Sequence, residues 1–156
     1  MPMSLIALIN TKKMSLMLDK NLITKKLALL DGYILELEPI VALSEKEILA
    51  DTFKFHTAER LFQLIVDEMI DVNTHLIRVK ILPPPDDIQS TFTVLGKAGV
   101  LPNDFAEKIS PVVGLRNAIV HRYEHINLKQ FIHELKHNFG DFKRFSILIA
   151  DKFLKS

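Results

Sequence analysis

Apolar residues recur at intervals of three and four along most of the chain, and strict apolar–polar alternation is absent. Ile23, Leu27, Leu30, Ile34 and Leu37 form the first such series. A helix turns about 100° per residue, so this spacing puts all five on one face. Pro39 is expected to end that helix, because its ring clashes with the preceding turn. Ser44-x-x-Glu47 is a capping box and opens the next segment. A long helix is predicted from about Asp51 to Ile81, with its stripe at Phe55, Leu61, Phe62, Ile65, Met69, Val72, Leu76 and Val79. Pro83-Pro84-Pro85 stops it. Asp86 or Asp87 is expected to cap a short helix that reaches about Ala98 and ends at Gly99. Pro102-Asn103-Asp104 opens another helical stretch that runs through Val120. At Pro111 it either kinks or restarts, with Ser110 as cap. Asn127 is expected to cap a helix over 128–139. Gly140-Asp141 is read as a break before a last amphipathic piece bearing Phe142, Phe145, Ile149 and Phe153. The expected architecture is all-α, an up-and-down bundle of five to six helices with no sheet.

The chain has 156 residues, which fits one domain. The helical periodicity begins only near Asp19, so residues 1–16 are read as an N-terminal extension and 17–156 as the domain. No apolar run approaches the roughly 20 residues needed to span a bilayer. The lysines Lys12 and Lys13 follow the short apolar stretch Leu5–Ile9 rather than precede it, unlike a secretory signal. A cytoplasmic location is the expectation.

Composition narrows the chemistry. There is no cysteine, which removes thiol nucleophiles, Cys-ligated metal sites and disulfides. The five glycines include no G-x-G-x-x-G, no Walker loop and no G-x-S-x-G elbow. The net charge of +1 hides a gradient: residues 19–75 carry 6 Lys/Arg and 11 Asp/Glu, while residues 116–144 carry 6 and 3 with four of the six histidines. Such asymmetry marks either a binding face or solvated helix surfaces.

Two constellations bear on function. His133-Glu134-Leu135-Lys136-His137 matches the zinc-peptidase pattern H-E-x-x-H, in which two histidines share a helix face and the Glu acts as base. Catalytic zinc needs a third protein ligand. Lys143 stands where one class would have its histidine, and no Glu follows Glu134. A solvated face of a helix whose core side is Phe131, Leu135 and Phe139 is the preferred reading, and no metal or cofactor is expected. The second is Arg116-Asn117-Ala118-Ile119-Val120-His121-Arg122-Tyr123. Arg116 and His121 are five apart, about 140° around a helix. They converge only if the helix ends near His121 or a partner chain completes the site. The set suits RNA cleavage without metal: a histidine moves the proton of the 2′-OH or of the leaving oxygen, and an arginine pairs with phosphate.

The surrounding sequence resembles the HepT-like family of the HEPN superfamily. Arg60, Gln63, Asp71 and His75 fit that family's R-x-x-Q-x-x-x-E-x-x-x-D-x-x-x-H helix, with Asp67 where Glu is usual. Phe92–Leu101 is similar to its next helix and turn. Arg116 to Tyr123 matches its R-x4-H-x-Y signature, with Asn117 after the arginine, and the likeness runs from about Asp19 to Phe153. One departure is Pro111, which bears on the continuity of the signature helix.

The resemblance implies an all-α homodimer whose cleft unites two R-x4-H motifs. It implies the toxin of a toxin–antitoxin module, a metal-independent endoribonuclease. Its antitoxin would be an MNT-type nucleotidyltransferase that transfers AMP to the motif's tyrosine. Carried over, Arg116 and His121 are catalytic, Asn117 supports them and Tyr123 is the modified residue. Asp71 and His75, four apart, are read as satisfying each other. An alternative is a non-catalytic helical dimer that serves as the nucleotidyltransferase's protein substrate; a zinc peptidase is the remote one.

Overall fold

A computed structural model describes residues 4–5, 17–121 and 127–155. Apart from Ser4 and Leu5, the N-terminal extension lies outside the described residues. Seven helices follow in order from Lys20: α1 (Lys20–Val41), α2 (Glu45–Ala50), α3 (Thr52–Val79), α4 (Ser90–Lys97), α5 (Asn103–Ile109), α6 (Val112–His121) and α7 (Leu128–Phe153). No strand occurs among the described residues, and no helix there is long and apolar enough to cross a membrane.

The helix ends obey the side chains that flank them. Asp19 accepts the Leu22 N–H at 2.9 Å and caps α1. The Ser44/Glu47 capping box forms in full at α2. Asp51 accepts from Phe53 and Lys54 at the start of α3, and Asn127 accepts from Gln130 at the start of α7. Asp87, of the two acids before α4, takes both the backbone N–H and the hydroxyl of Ser90 at 2.7 Å. Those bonds hold its carboxyl below the usual range.

α3 is the axis of the molecule, packing against α1, α2, α4, α6 and α7. The series Ile23, Leu27, Leu30, Ile34 and Leu37 is buried as the spacing predicts. So are Phe55, Leu61, Phe62, Ile65, Met69, Val72 and Leu76 of α3. Phe131 of α7 packs edge-on against both Phe55 and Phe62 of α3, with ring centroids 5.9 and 5.5 Å apart. Lys26 of α1 bridges to Asp71 at 2.7 Å and Glu68 at 3.2 Å on α3. The Asp71 bond is the main reason its ammonium stays protonated beyond its ordinary range. Lys136 of α7 donates to the carbonyls of Val41 and Leu43, a cation placed where the α1 C-terminus leaves acceptors open.

Two boundaries differ from the expectation, at Pro39 and at Gly140, and at Pro111 one of the two expected outcomes is found. Pro39 lies inside α1 rather than ending it. It sits in the last turn on an exposed side, so only one backbone bond is lost, and the carbonyl it orphans belongs to the exposed Leu35. Gly140 does not break α7, which is continuous. A glycine within a helix costs only about 0.5–1 kcal/mol. Phe142 and Phe145 on the next turn are fully buried, and Asp141 is held by Lys108 at 3.3 Å. At Pro111 the chain restarts: α5 ends at Ile109 and α6 begins at Val112. The Ser110 hydroxyl donates to the Gln89 carbonyl at 3.2 Å, tying this junction to the start of α4.

The ends of α4 and α3 share one geometry with different residues. After α4, Val100 N–H bonds Leu95 C=O at 2.9 Å and Gly99 takes φ +75°, a Schellman turn. After α3, Leu82 N–H bonds Ile77 C=O at 3.0 Å, and Ile81 takes φ +54°. A β-branched residue is strained there, by roughly 1–2 kcal/mol. Ile81 is also 74% exposed, so its side chain returns little packing. Ile81→Gly is therefore expected to raise stability by about 1 kcal/mol in urea unfolding; an unchanged or lowered midpoint contradicts the strain.

His75 does not pair with Asp71. Its Nε2 accepts the backbone N–H of Asp19 at 3.1 Å, fastening the α1 N-terminus to α3. The acceptor role places the ring proton on Nδ1, which is buried without a partner. Burial first, then the Arg78 charge, lowers its pKa from 6.5, against a smaller opposing pull from Asp19. The folded state thus binds fewer protons than the unfolded chain below pH 6.5. This contribution to stability is complete above that pH and is lost as pH falls toward the lowered folded value. Thermal unfolding should show this loss as pH falls below 6.5, and His75→Gln, whose amide oxygen still accepts from Asp19, should flatten it.

Candidate functional site

α6 is ten residues long and lies against α3. Ile119, Val112 and Val113 are its buried anchors, which turn Arg116 and Asn117 toward the α3 edge. There Arg116 meets Asp67. Its Nε donates to Asp67 Oδ1 at 2.9 Å, and one terminal nitrogen reaches the same oxygen at 2.9 Å. The other terminal nitrogen donates to Asn117 Oδ1 at 3.0 Å. The Arg116 side chain is only 21% exposed, and Asp67 is 34% exposed. Three of the guanidinium's five N–H donors are thus engaged, and the remaining two take no partner among the described residues. The result is an arginine fixed in direction with donors in reserve, the arrangement that suits a phosphate.

His121 is the last described residue of α6 and is exposed. It stands about 7.5 Å further along the helix axis than Arg116 at 1.5 Å per residue, and about 140° around it. Arg116 and Asn117 are brought together; Arg116 and His121 point from different faces of one helix. Tyr123 lies outside the described residues. His133 and His137 are exposed on α7, and Glu134 accepts from Gln130 at 3.2 Å. No group of three His, Asp or Glu side chains that could hold a metal occurs among the described residues.

Asp67 is the residue that reading along the chain did not place at the site. It is 49 positions from Arg116 in sequence. The available signal was its place in the R-x-x-Q-x-x-x-E helix pattern, where it stands for the usual Glu.

An all-α bundle with an R-x4-H motif on a short helix, its arginine braced by the longest helix, defines a class of protein. The chain belongs to the ribonuclease HepT-like family, whose model matches residues 30–149. It is 30% identical over 83 residues to the mRNA nuclease HepT of Shewanella oneidensis, covering 53% of this chain and 62% of that protein. It is 32% identical over 110 residues to the tRNA nuclease HepT of Aphanizomenon flos-aquae, covering 70% and 74%. The similarity thus spans somewhat less than two thirds of the first relative's length. Among solved structures it is similar to a tri-AMPylated Shewanella oneidensis HEPN toxin in complex with MNT antitoxin, at 25% identity and TM-score 0.76 over 86% of this chain and 99% of that one.

Proposed function

We propose that this chain is the toxin of a toxin–antitoxin pair: a homodimeric, metal-independent endoribonuclease, spanning residues 17–156, that an MNT-type nucleotidyltransferase silences by transferring AMP to Tyr123. The observation that carries the reading is Arg116, braced by Asp67 and Asn117 with donors left for a phosphate. The likeness to two HepT nucleases and to an AMPylated HEPN toxin bound to MNT antitoxin supports it.

In this mechanism Arg116 binds the scissile phosphate and offsets the charge that builds on its oxygens. His121 accepts the proton of the neighbouring 2′-OH. The 2′ oxygen then bonds to phosphorus, the bond from phosphorus to the 5′ oxygen breaks, and a protonated histidine returns a proton to that oxygen. One motif histidine per chain, on another face than its own arginine, favours a site assembled from two copies. Each copy brings an Arg116 and a His121 to one cleft. The location that goes with this reading is the cytoplasm.

The test is cleavage of an RNA transcript by the purified protein in excess EDTA. Cleavage at an undiminished rate is expected, and cleavage that stops on chelation and returns with a divalent metal overturns the metal-independent reading. Sedimentation of the same sample should give twice the chain mass.

A further inference from the structure

The α3 face that holds Arg116 continues toward that helix's start. His56, Glu59, Arg60 and Gln63 succeed one another on it, and with Ile119 and Val120 of α6 they line a cleft of about 320 Å³. Gln63 is one helical turn before Asp67, and Val120 immediately precedes His121. The cleft therefore adjoins the proposed centre, and none of its six residues has a part in the mechanism above.

Its lining is unusual for a surface groove. Glu59 is 8% exposed, and its Oε1 receives the Nδ1–H of His56 at 2.8 Å. Withdrawing a carboxylate from water is costly, and one half-exposed imidazole fills only one of its roughly four acceptor positions. Arg60 is exposed and has no ion pair among the described residues. Ile119 and Val120 supply an apolar wall.

These are the parts that seat an unstacked RNA base. Single-stranded RNA is read by stacking splayed bases on histidine, arginine or aromatic planes and by hydrogen bonds to their edges. A buried carboxylate repels phosphate, so the Glu59 wall selects a base edge that donates. Guanine alone places two donors side by side, N1–H and the 2-amino group, to match both oxygens of one carboxylate. Adenine and cytosine set an acceptor nitrogen beside their amino group, and uracil flanks its single N–H with carbonyls.

We propose that the cleft between α3 and α6 is a guanine-binding subsite, with Glu59 and Gln63 on the base edge and Arg60 and His56 over its face. Its service to RNA cleavage rests on the function proposed above; its affinity for the base does not.

The experiment is a titration of the full-length protein with the four nucleoside 5′-monophosphates, read by calorimetry. GMP is expected to bind at least tenfold tighter than AMP, CMP or UMP. Glu59→Gln should erase that preference. Gln63→Ala, at a half-buried position, should reduce it even where Glu59→Gln fails to fold. Arg60→Ala, on the surface, should weaken all four severalfold and keep their ranking. Equal binding of the four, no binding at millimolar nucleotide, or a preference that survives both edge substitutions overturns the subsite. Sequencing the ends of cleaved random RNA reads the same preference during turnover, with guanine expected at one fixed position beside the cut. Guanine preference in the titration without any RNA cleavage would sink the nuclease reading and leave the subsite standing.

Discussion

His121→Ala is expected to lower the rate of RNA cleavage by about 10³-fold, within the range of 10² to 10⁴ that a positioned acid–base group supplies. Arg116→Ala should cost about 10² to 10³, the range for removing a donor aimed at developing charge. Neither loss should come from unfolding. His121 is exposed at the last described position of α6, and Arg116 anchors no apolar contact of the core. Thermal midpoints close to the wild-type value are the control. Asp67→Asn should fall between the variants and the wild type, at roughly tenfold. The amide oxygen still accepts from Arg116, but the charge that holds the guanidinium is gone. Its effect should appear in kcat more than in KM if Asp67 acts by positioning. Undiminished cleavage by His121→Ala would remove the histidine from the chemistry and overturn the proposed mechanism, whereas no cleavage by the wild type would favour a non-catalytic dimer that serves only as an acceptor of AMP.

How much of this was legible along the chain depends on the range of the interaction. The Ile23–Leu37 stripe and the Ser44 capping box are local patterns, and the structure repeats them. The Arg116-Asn117 pair is local as well. Gly99 announces its left-handed turn because glycine is the residue that tolerates it, whereas Ile81 makes the same turn unannounced. Gly140 and Pro39 misdirect for a related reason: propensity is a weak term, and buried phenylalanines or an exposed last turn override it. The Asp67–Arg116 bond and the seating of His75 on Asp19 join residues about 50 apart. They depend on how α3 is rotated against α1 and α6, which no periodicity encodes. The His56–Glu59 cleft was hidden likewise, since part of its wall, Ile119 and Val120, comes from α6.

Incubation with the MNT-type partner and ATP is expected to add AMP to Tyr123 and to abolish cleavage. Tyr123→Phe should keep its RNA-cleaving rate through the same treatment and gain no mass there. The phenol oxygen bonds to the α-phosphorus of ATP, pyrophosphate leaves, and the phenolic proton passes to solvent. Tyr123 follows His121 by two residues, so the product sets an anionic phosphodiester and a nucleoside beside the proton-transfer group. The anion is drawn to a cation, and Arg116 holds two N–H donors without a partner among the described residues. The modified tyrosine would thus occupy the place of the scissile phosphate, as a tethered competitor that dilution cannot remove. The chain has only two tyrosines, and Tyr33 belongs to α1, where it packs partly buried against the core. A mass gain lost in Tyr123→Phe therefore assigns the acceptor. A variant that still gains AMP, or is still silenced, would refute neutralisation through this residue.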